Sequence, residues 1–384
     1  MKEDLQITVR QPMYHYLMLL TICAALGLQS WRTLFDNFAV HKVGLDGAHV
    51  GMIQSVREIP GFLTFLTVFV LLFMKEHRLS ALSVLFLGVG VVMTGLFPTY
   101  GGLVVTTLIM SLGYHYYETT NQSLTLQYFS KDAAPRVFGK LRSLSAATNM
   151  GVGAVIYFMA ARLGFAQMYA VIGGVIILCA LRAFFMRPAR DDMVPQHKKM
   201  IFRRRYGLFY FLTFMAGARR QIFIAFAVFL VVQRFHYSVR EVTILFVINN
   251  LVNFFLSPWI GKAIIRFGER KVLSLEYASL ILIFTAYGLT ESRLLVGILY
   301  VLDHVFFNFA IAIRTYFQKV GDPRDIAPSM AVGFAINHIA AVVLPALGGF
   351  LWMLDYRMVF FAGAVMSLIS LIAAQWIRTP ESGL

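Results

Sequence analysis

Along this chain, long apolar runs alternate with short polar punctuation, and the runs fall in one length class. They lie at 14–40, 49–74, 79–97, 102–129, 137–161, 166–186, 206–232, 241–265, 272–290, 294–318, 328–353 and 358–377. About 20 residues rising 1.5 Å each cross a hydrocarbon layer of about 30 Å, so each run predicts a membrane-spanning helix. Most connections are a few residues long, as at 75–78, 98–101 and 354–357, which makes consecutive helices antiparallel neighbours. The exception is 187–205, which holds Pro188, Pro195, Arg187, Arg190, Lys198, Lys199, Arg203, Arg204 and Arg205. Lying midway among the spans, it reads as a basic linker between an N-terminal bundle, 1–186, and a C-terminal bundle, 206–384. The expected class is an all-α integral membrane protein of twelve transmembrane helices in two pseudo-symmetric six-helix bundles.

Composition agrees. Hydrophobic residues make up 59% and charged residues 14%, with mean hydropathy +0.70, whereas soluble chains are roughly 25% charged. The net charge of +15 would suit nucleic acid in a soluble protein. In a membrane protein its position matters more, and Lys and Arg concentrate in the segments on the linker's side, placing both termini in the cytoplasm. Residues 2–13 are polar and the next run exceeds signal-peptide length, so the first helix directs insertion. The expected location is the inner membrane of a bacterium, as a monomer. Cys23 and Cys179 both fall inside apolar runs and make no disulfide framework.

The two halves resemble each other. Phe38-Ala39-Val40 ends the first span and Phe226-Ala227-Val228 lies near the end of the seventh. The same offset sets Arg32 opposite Arg220, Phe35 opposite Phe223 and Tyr128-Phe129 opposite Tyr316-Phe317. Parallel repeats of this kind let one central site open to either side in turn.

The loop after the eighth span adds a motif. Gly261-Lys-Ala-Ile-Ile-Arg266-Phe-Gly268-Glu-Arg270-Lys271 resembles the Gly-x-x-x-(Asp)-Arg-x-Gly-Arg-(Arg/Lys) signature of the major facilitator superfamily. Ile265 stands where the signature has Asp, and the N-terminal counterpart, 74–78, lacks both the glycines and the Asp. The resemblance implies an alternating-access transporter whose loop pairs charges across the inner face, with Gly261, Arg266, Gly268, Arg270 and Lys271 as gating residues.

Polar side chains within the spans carry the candidate chemistry, because charge at membrane depth is costly and marks function or pairing. Arg219 and Arg220 interrupt 206–232 at its midpoint. Adjacent residues diverge by about 100° around a helix, so one can face a water-filled cavity and the other a buried acid. Gln29, Arg32 and Asp36 share a stripe on the first span, either as an internal ion pair or with Arg32 turned to the cavity. Arg32 with Arg220 is similar to the paired arginines of the organophosphate antiporters in this superfamily, and a guanidinium fork matches phosphate or carboxylate oxygens. Arg57-Glu58 precede Pro60 in the second span; one is expected at the cavity, the other at a neighbouring helix.

In the fourth span His115, Glu118 and Gln122 form a stripe. His115 and Glu118 are too few to hold a metal, and no cofactor is expected. Glu118 can instead alternate between a protonated form and an arginine-paired one. Asn249, Asn250 and Asn253 in the eighth span, Asp303, His304 and Asn308 in the tenth, and Asn337-His338 in the eleventh complete the set. Interhelical hydrogen bonding accounts for many such asparagines. Substrate contact is assigned to Arg32, Arg57, Arg219, Arg220, His115, Asn249, Asn250, Asn308, Asn337 and His338. Proton coupling is assigned to Asp36, Glu58, Glu118, Asp303 and His304. Glu276 is expected to pair with an inner-loop base.

Arg32, Arg57, Arg142, Arg219, Arg220 and Arg314 outnumber Asp36, Glu58, Glu118 and Asp303 at mid-membrane. An enclosure with a positive excess attracts an anion. The leading expectation is a secondary transporter of a small organic anion, driven by protons or a counter-anion. The alternative is a proton-coupled exporter of hydrophobic or cationic compounds, favoured by the carboxylates and aromatic content. A membrane enzyme or sensor is the remote reading: no Gly-x-Ser-x-Gly, His-Glu-x-x-His or phosphate-binding glycine loop occurs, and 1–13, 187–205 and 378–384 are too short for an output domain.

Overall fold

The apolar runs fold as helices whose ends follow from local chemistry. A computed structural model describes residues 11–45, 47–188, 193–197, 199–237 and 239–379. Arg190 and Lys198 of the linker lie outside the described residues. The helices are α1 (Pro12–Val43), α2 (Gly47–Phe62, extended by Leu63–Leu66 and Thr67–Val70), α3 (Glu76–Leu96), α4 (Tyr100–Tyr128), α5 (Ala134–Ala160), α6 (Phe165–Phe185), α7 (Arg204–Gln233), α10 (Arg293–Val320), α11 (Ile326–Leu354) and α12 (Tyr356–Ala374). Between α7 and α10 the chain runs as Val239–Leu289, broken into α8 and α9 at Gly268, whose φ of 79° is open chiefly to glycine. The loop expected there is thus a single sharp break.

Starts are capped where the sequence offers a short oxygen-bearing side chain. Thr99 Oγ1 accepts from Gly102 N at 3.1 Å, Ser292 Oγ from Leu295 N at 3.3 Å and Asp355 Oδ1 from Arg357 N at 2.8 Å. Pro12 opens α1 and Pro135 sits in the first turn of α5, where a missing N–H costs nothing. α1 ends in π-helix over Ala39–Val43, and α7 contains another over Ile222–Ala227. Among the described residues, nine helical runs are long and apolar enough to cross a membrane, Ile244–Leu289 counting once.

Contacts divide the chain into two compact units. The first gathers the described residues up to Ala133 with Leu144–Ile201 and Pro323–Ala335; the second gathers Ala134–Ser143, Phe202–Asp322 and Ile336 onward. The division therefore departs from a clean cut at the linker in two places, the starts of α5 and α11.

In the first unit α3 packs against α4 and α6. The crossing with α4 is close because glycines meet backbone: a Cβ on Gly90 would lie 2.5 Å from Met110 N, and one on Gly113 would strike Ser83 O. Lipid is as apolar as a leucine side chain, so such close packing, rather than burial from water, holds membrane helices together. In the second unit Phe226 and Leu230 of α7, Leu280 and Phe284 of α9, Tyr300 of α10 and Phe360 of α12 form one buried cluster.

Two residues of the linker are tied down. Gln196 Nε2 donates to Pro323 O at 2.8 Å, Ala327 N to Gln196 Oε1 at 2.9 Å, and His197 N to Arg324 O at 2.8 Å. His197 Nδ1 also lies 2.7 Å from Asp325 Oδ1, whose side chain is fully buried. All of these groups belong to the first unit.

Candidate functional site

The polar side chains expected to do the chemistry separate into one group in the first unit and three in the second.

On α1 the buried side carries Trp31, Leu34, Phe35 and Phe38, with Trp31 stacked on Phe35 at 4.2 Å. The opposite side carries Arg32, Thr33, Asp36 and Asn37, all exposed. Arg57 and Glu58 on α2 do not diverge as expected. The Arg57 side chain folds back on its neighbour, with Nη2 2.8 Å from Glu58 Oε1, and lies 6.0 Å from the Trp31 ring. The pair is half-buried. Ser111 on α4 donates to Arg57 O and sits 2.9 Å from His115 Nδ1. Arg57 also acts electrostatically on Asp36, and Arg57, Glu58 and Glu118 on buried His115. Trp31, Asp36, Arg57, Glu58, Ser111 and His115 thus form one cluster.

In the second unit the two adjacent arginines part. Arg219 is 1% exposed. Its Nη2 lies 3.7 Å from Glu276 Oε1, its Nη1 donates to Ser370 Oγ, and its guanidinium rests 4.5 Å over the Tyr277 ring. Glu276 is thus the buried partner of a mid-helix arginine rather than of an inner-loop base. Asp303 is buried as well, under the influence of Arg219 and beside Tyr287 and Tyr300. Arg220 turns the other way and is half-buried. Its Nε is buried without a hydrogen-bond partner, and among the described residues it makes no ion pair.

A second chain of contacts joins α5, α8 and α10. Arg142 Nε donates to Asn308 Oδ1 at 3.2 Å, Asn308 Nδ2 to Asn253 Oδ1 at 2.5 Å, and Asn253 Nδ2 lies 2.6 Å from His304 Nε2. Asn308 Nδ2 also donates to His304 O at 2.6 Å. The other asparagines bond helix backbone: Asn250 Nδ2 to Phe246 O at 3.0 Å within its own helix, and Asn337 Nδ2 to Thr213 O at 3.1 Å across to α7. Asn249 and His338 are buried.

The loop motif, the last group, holds its charges inside the second unit. Glu269 pairs with Lys319 at 2.9 Å, Arg270 donates to Gln375 Oε1 at 3.1 Å, and Arg266 lies over Phe267 at 5.3 Å. Gly261 is required sterically, since a Cβ there would strike Pro135 O at the start of α5. Lys271 is exposed.

The family profile described as "Major Facilitator Superfamily" matches residues 17–312 and 209–383. The chain belongs to the major facilitator superfamily. Its solved neighbours share the twelve-helix fold. The human organic anion transporter MFSD10 (TETRAN) matches with TM-score 0.75 at 13% identity, covering 95% of this chain and 99% of that one. FucP in its outward conformation gives 0.74 at 14%, covering 96% and 99%. A bacterial homologue of the iron transporter ferroportin gives 0.75 at 13%, covering 94% and 98%. No curated protein sequence matches. The chain is therefore a multi-pass secondary transporter with the fold of this superfamily.

Sequence reasoning missed Asn253 as the central link of the α5–α8–α10 chain and Ser370 as a ligand of Arg219. The spacing Asn249/Asn253 was a usable signal for the first; nothing local marks Ser370.

Proposed function

We propose that this transporter moves a small organic anion by alternating access of its two halves, coupled to protons or to exchange of a counter-anion. One observation carries the reading: at membrane depth Arg220 offers a half-buried guanidinium that no described side chain neutralises. An unpaired buried charge is strongly unfavourable, so its counter-ion is expected to arrive as cargo. The strip of Arg32 and Asp36 on α1 supplies a second arginine at the position related to Arg220 by the internal repeat, facing away from the packed side of its helix.

The neighbours' descriptions name three cargoes: an organic anion for MFSD10, fucose with a proton for the E. coli FucP symporter, and iron for ferroportin, of which the third neighbour is a bacterial homologue. A shared fold does not choose among them; Arg220 supports the anion. Asp36, Glu58, Glu118, Asp303 and His304 are the groups through which protons would act.

The test is a thermal-shift screen of the purified protein against benzoate, glucose 6-phosphate and tetraphenylphosphonium. Stabilisation by at least one anion, lost in Arg220→Gln, is the expected result. Stabilisation by the lipophilic cation alone, undiminished in that variant, would replace this reading with drug export.

A further inference from the structure

We infer that the unpacked face of α8 holds an anionic phospholipid, with an acyl chain along Phe255 and Trp259 and the headgroup phosphodiester on Lys262 and Arg266. This lipid is a partner of the chain rather than its cargo.

From Ile248 to Arg266 the exposed positions of α8 are Ile248, Leu251, Phe255, Trp259, Lys262 and Arg266, three or four residues apart throughout. At 100° per residue they stay within an arc of about 80°, one stripe along the helix. Asn253, Ser257, Ile260 and Ile264, on the opposite side, are buried. A spanning helix whose unpacked side leaves Phe255 63% and Trp259 66% exposed presents that side to hydrocarbon.

Along the stripe the chemistry changes with depth. Three apolar side chains give way to a tryptophan, which favours the headgroup level, and then to two cations about one turn apart. At 1.5 Å per residue Arg266 lies about 16 Å along the axis from Phe255, half the thickness of a hydrocarbon layer of about 30 Å. The cations therefore reach the phosphates where the rings lie against the acyl chains of the same leaflet. Lys262 Nζ rests 4.7 Å over the Trp259 ring and the Arg266 guanidinium 5.3 Å over that of Phe267. Among the described residues neither makes an ion pair, and the nearest acid in sequence, Glu269, is buried and taken by Lys319 at 2.9 Å. The dipole of α8 favours cations near its C-terminal end at any bearing around the axis. Their alignment with Phe255 and Trp259 fits one amphipathic molecule that spans both zones. Charge selects its class: a phosphodiester anion suits a guanidinium and an ammonium together, whereas a zwitterionic headgroup brings a cation of its own that Lys262 and Arg266 repel.

Brominated lipids test the site, since bromine quenches tryptophan fluorescence only near contact. The full chain is reconstituted in phosphatidylcholine vesicles that contain a minor share of either dibrominated phosphatidylglycerol or dibrominated phosphatidylcholine. The Trp259 signal is the difference between the native chain and Trp259→Phe. One cation near the membrane surface favours an anionic lipid about fivefold, so phosphatidylglycerol should associate with Trp259 about fivefold or more in preference to phosphatidylcholine. The preference should vanish in the double variant Lys262→Gln with Arg266→Gln, whose positions lie off the packed face. Arg78→Gln removes an exposed cation on another helix and should leave the preference unchanged. If Trp259→Phe does not fold, native mass spectrometry from mixed micelles makes the same comparison: phosphatidylglycerol should stay on the native chain and leave the double variant. Equal association of the two lipids, a preference that survives the double variant, or an equal loss in Arg78→Gln, which reduces the effect to net charge, would each overturn the site.

Discussion

Arg219 and Glu276 face each other at 3.7 Å, and neither side chain is more than 1% exposed. The pair joins α7 to α9, while the bond to Ser370 brings in α12. Removing one member of a buried ion pair leaves the other uncompensated and costs about 3–5 kcal/mol, whereas replacing both by apolar residues is often neutral. Arg219→Met and Glu276→Leu should each lower the thermal unfolding midpoint in micelles substantially, and the double variant should recover most of the loss. Additive losses would show that the two do not act as a pair.

Arg220 should behave differently. Arg220→Lys keeps the charge but loses the planar fork, and a charge-assisted hydrogen bond contributes about 1.5–3 kcal/mol. Affinity for whichever of benzoate or glucose 6-phosphate stabilises the protein should fall about tenfold or more, with Arg220→Gln worse and thermal stability nearly unchanged. Isothermal titration distinguishes this from Arg219→Met, which should act on stability first.

The crossing of α3 and α4 sets a steric prediction. Gly90→Leu and Gly113→Leu would drive side-chain atoms into the backbone of the facing helix, and overpacking typically costs about 1–3 kcal/mol, more where backbone must move. Folded yield by size exclusion should drop sharply in both. Gly153→Leu, where a Cβ meets nothing within 4 Å, is the control and should be tolerated.

The linker supplies a fourth test. Asp325 is buried and receives His197 at 2.7 Å, so Asp325→Ala or His197→Ala should loosen the linker where it docks. Limited trypsin digestion at Lys199 and Arg203 should proceed severalfold faster in either variant, followed by intact mass. Unchanged cleavage kinetics would mean that the backbone bonds of Gln196 and His197 hold the linker alone.

The helices were legible in the sequence because membrane thickness sets run length, a constraint each run carries by itself. Gly268 was legible as part of a motif, but not as a break without a loop, since that depends on φ at one residue. The separate fates of Arg219 and Arg220 follow from the 100° step between neighbours. Which of them would be buried was not readable, because the answer lies with Glu276 and Ser370, far along the chain. The Arg57–Glu58 pair escaped for the opposite reason: long side chains can fold back on a neighbour, and helical periodicity describes only where the Cβ atoms point. The Arg142–Asn308–Asn253–His304 contacts draw on three helices, and only the one-turn spacings of Asn249 with Asn253 and of His304 with Asn308 show in the sequence.

The π-helical stretches in α1 and α7 bear on how this chain tolerates changes in length. A π turn accommodates one residue more than an α turn over the same rise, so Ile222–Ala227 holds, in effect, a stored insertion. Losing a single codon there lets the stretch relax to α-helix, with the faces of α7 on either side kept in their present bearings. The same loss inside regular α6 would rotate everything beyond it by about 100° and turn its packed face toward lipid. Frame-preserving deletions should therefore survive in α7 and α1 at these stretches and be eliminated in α6.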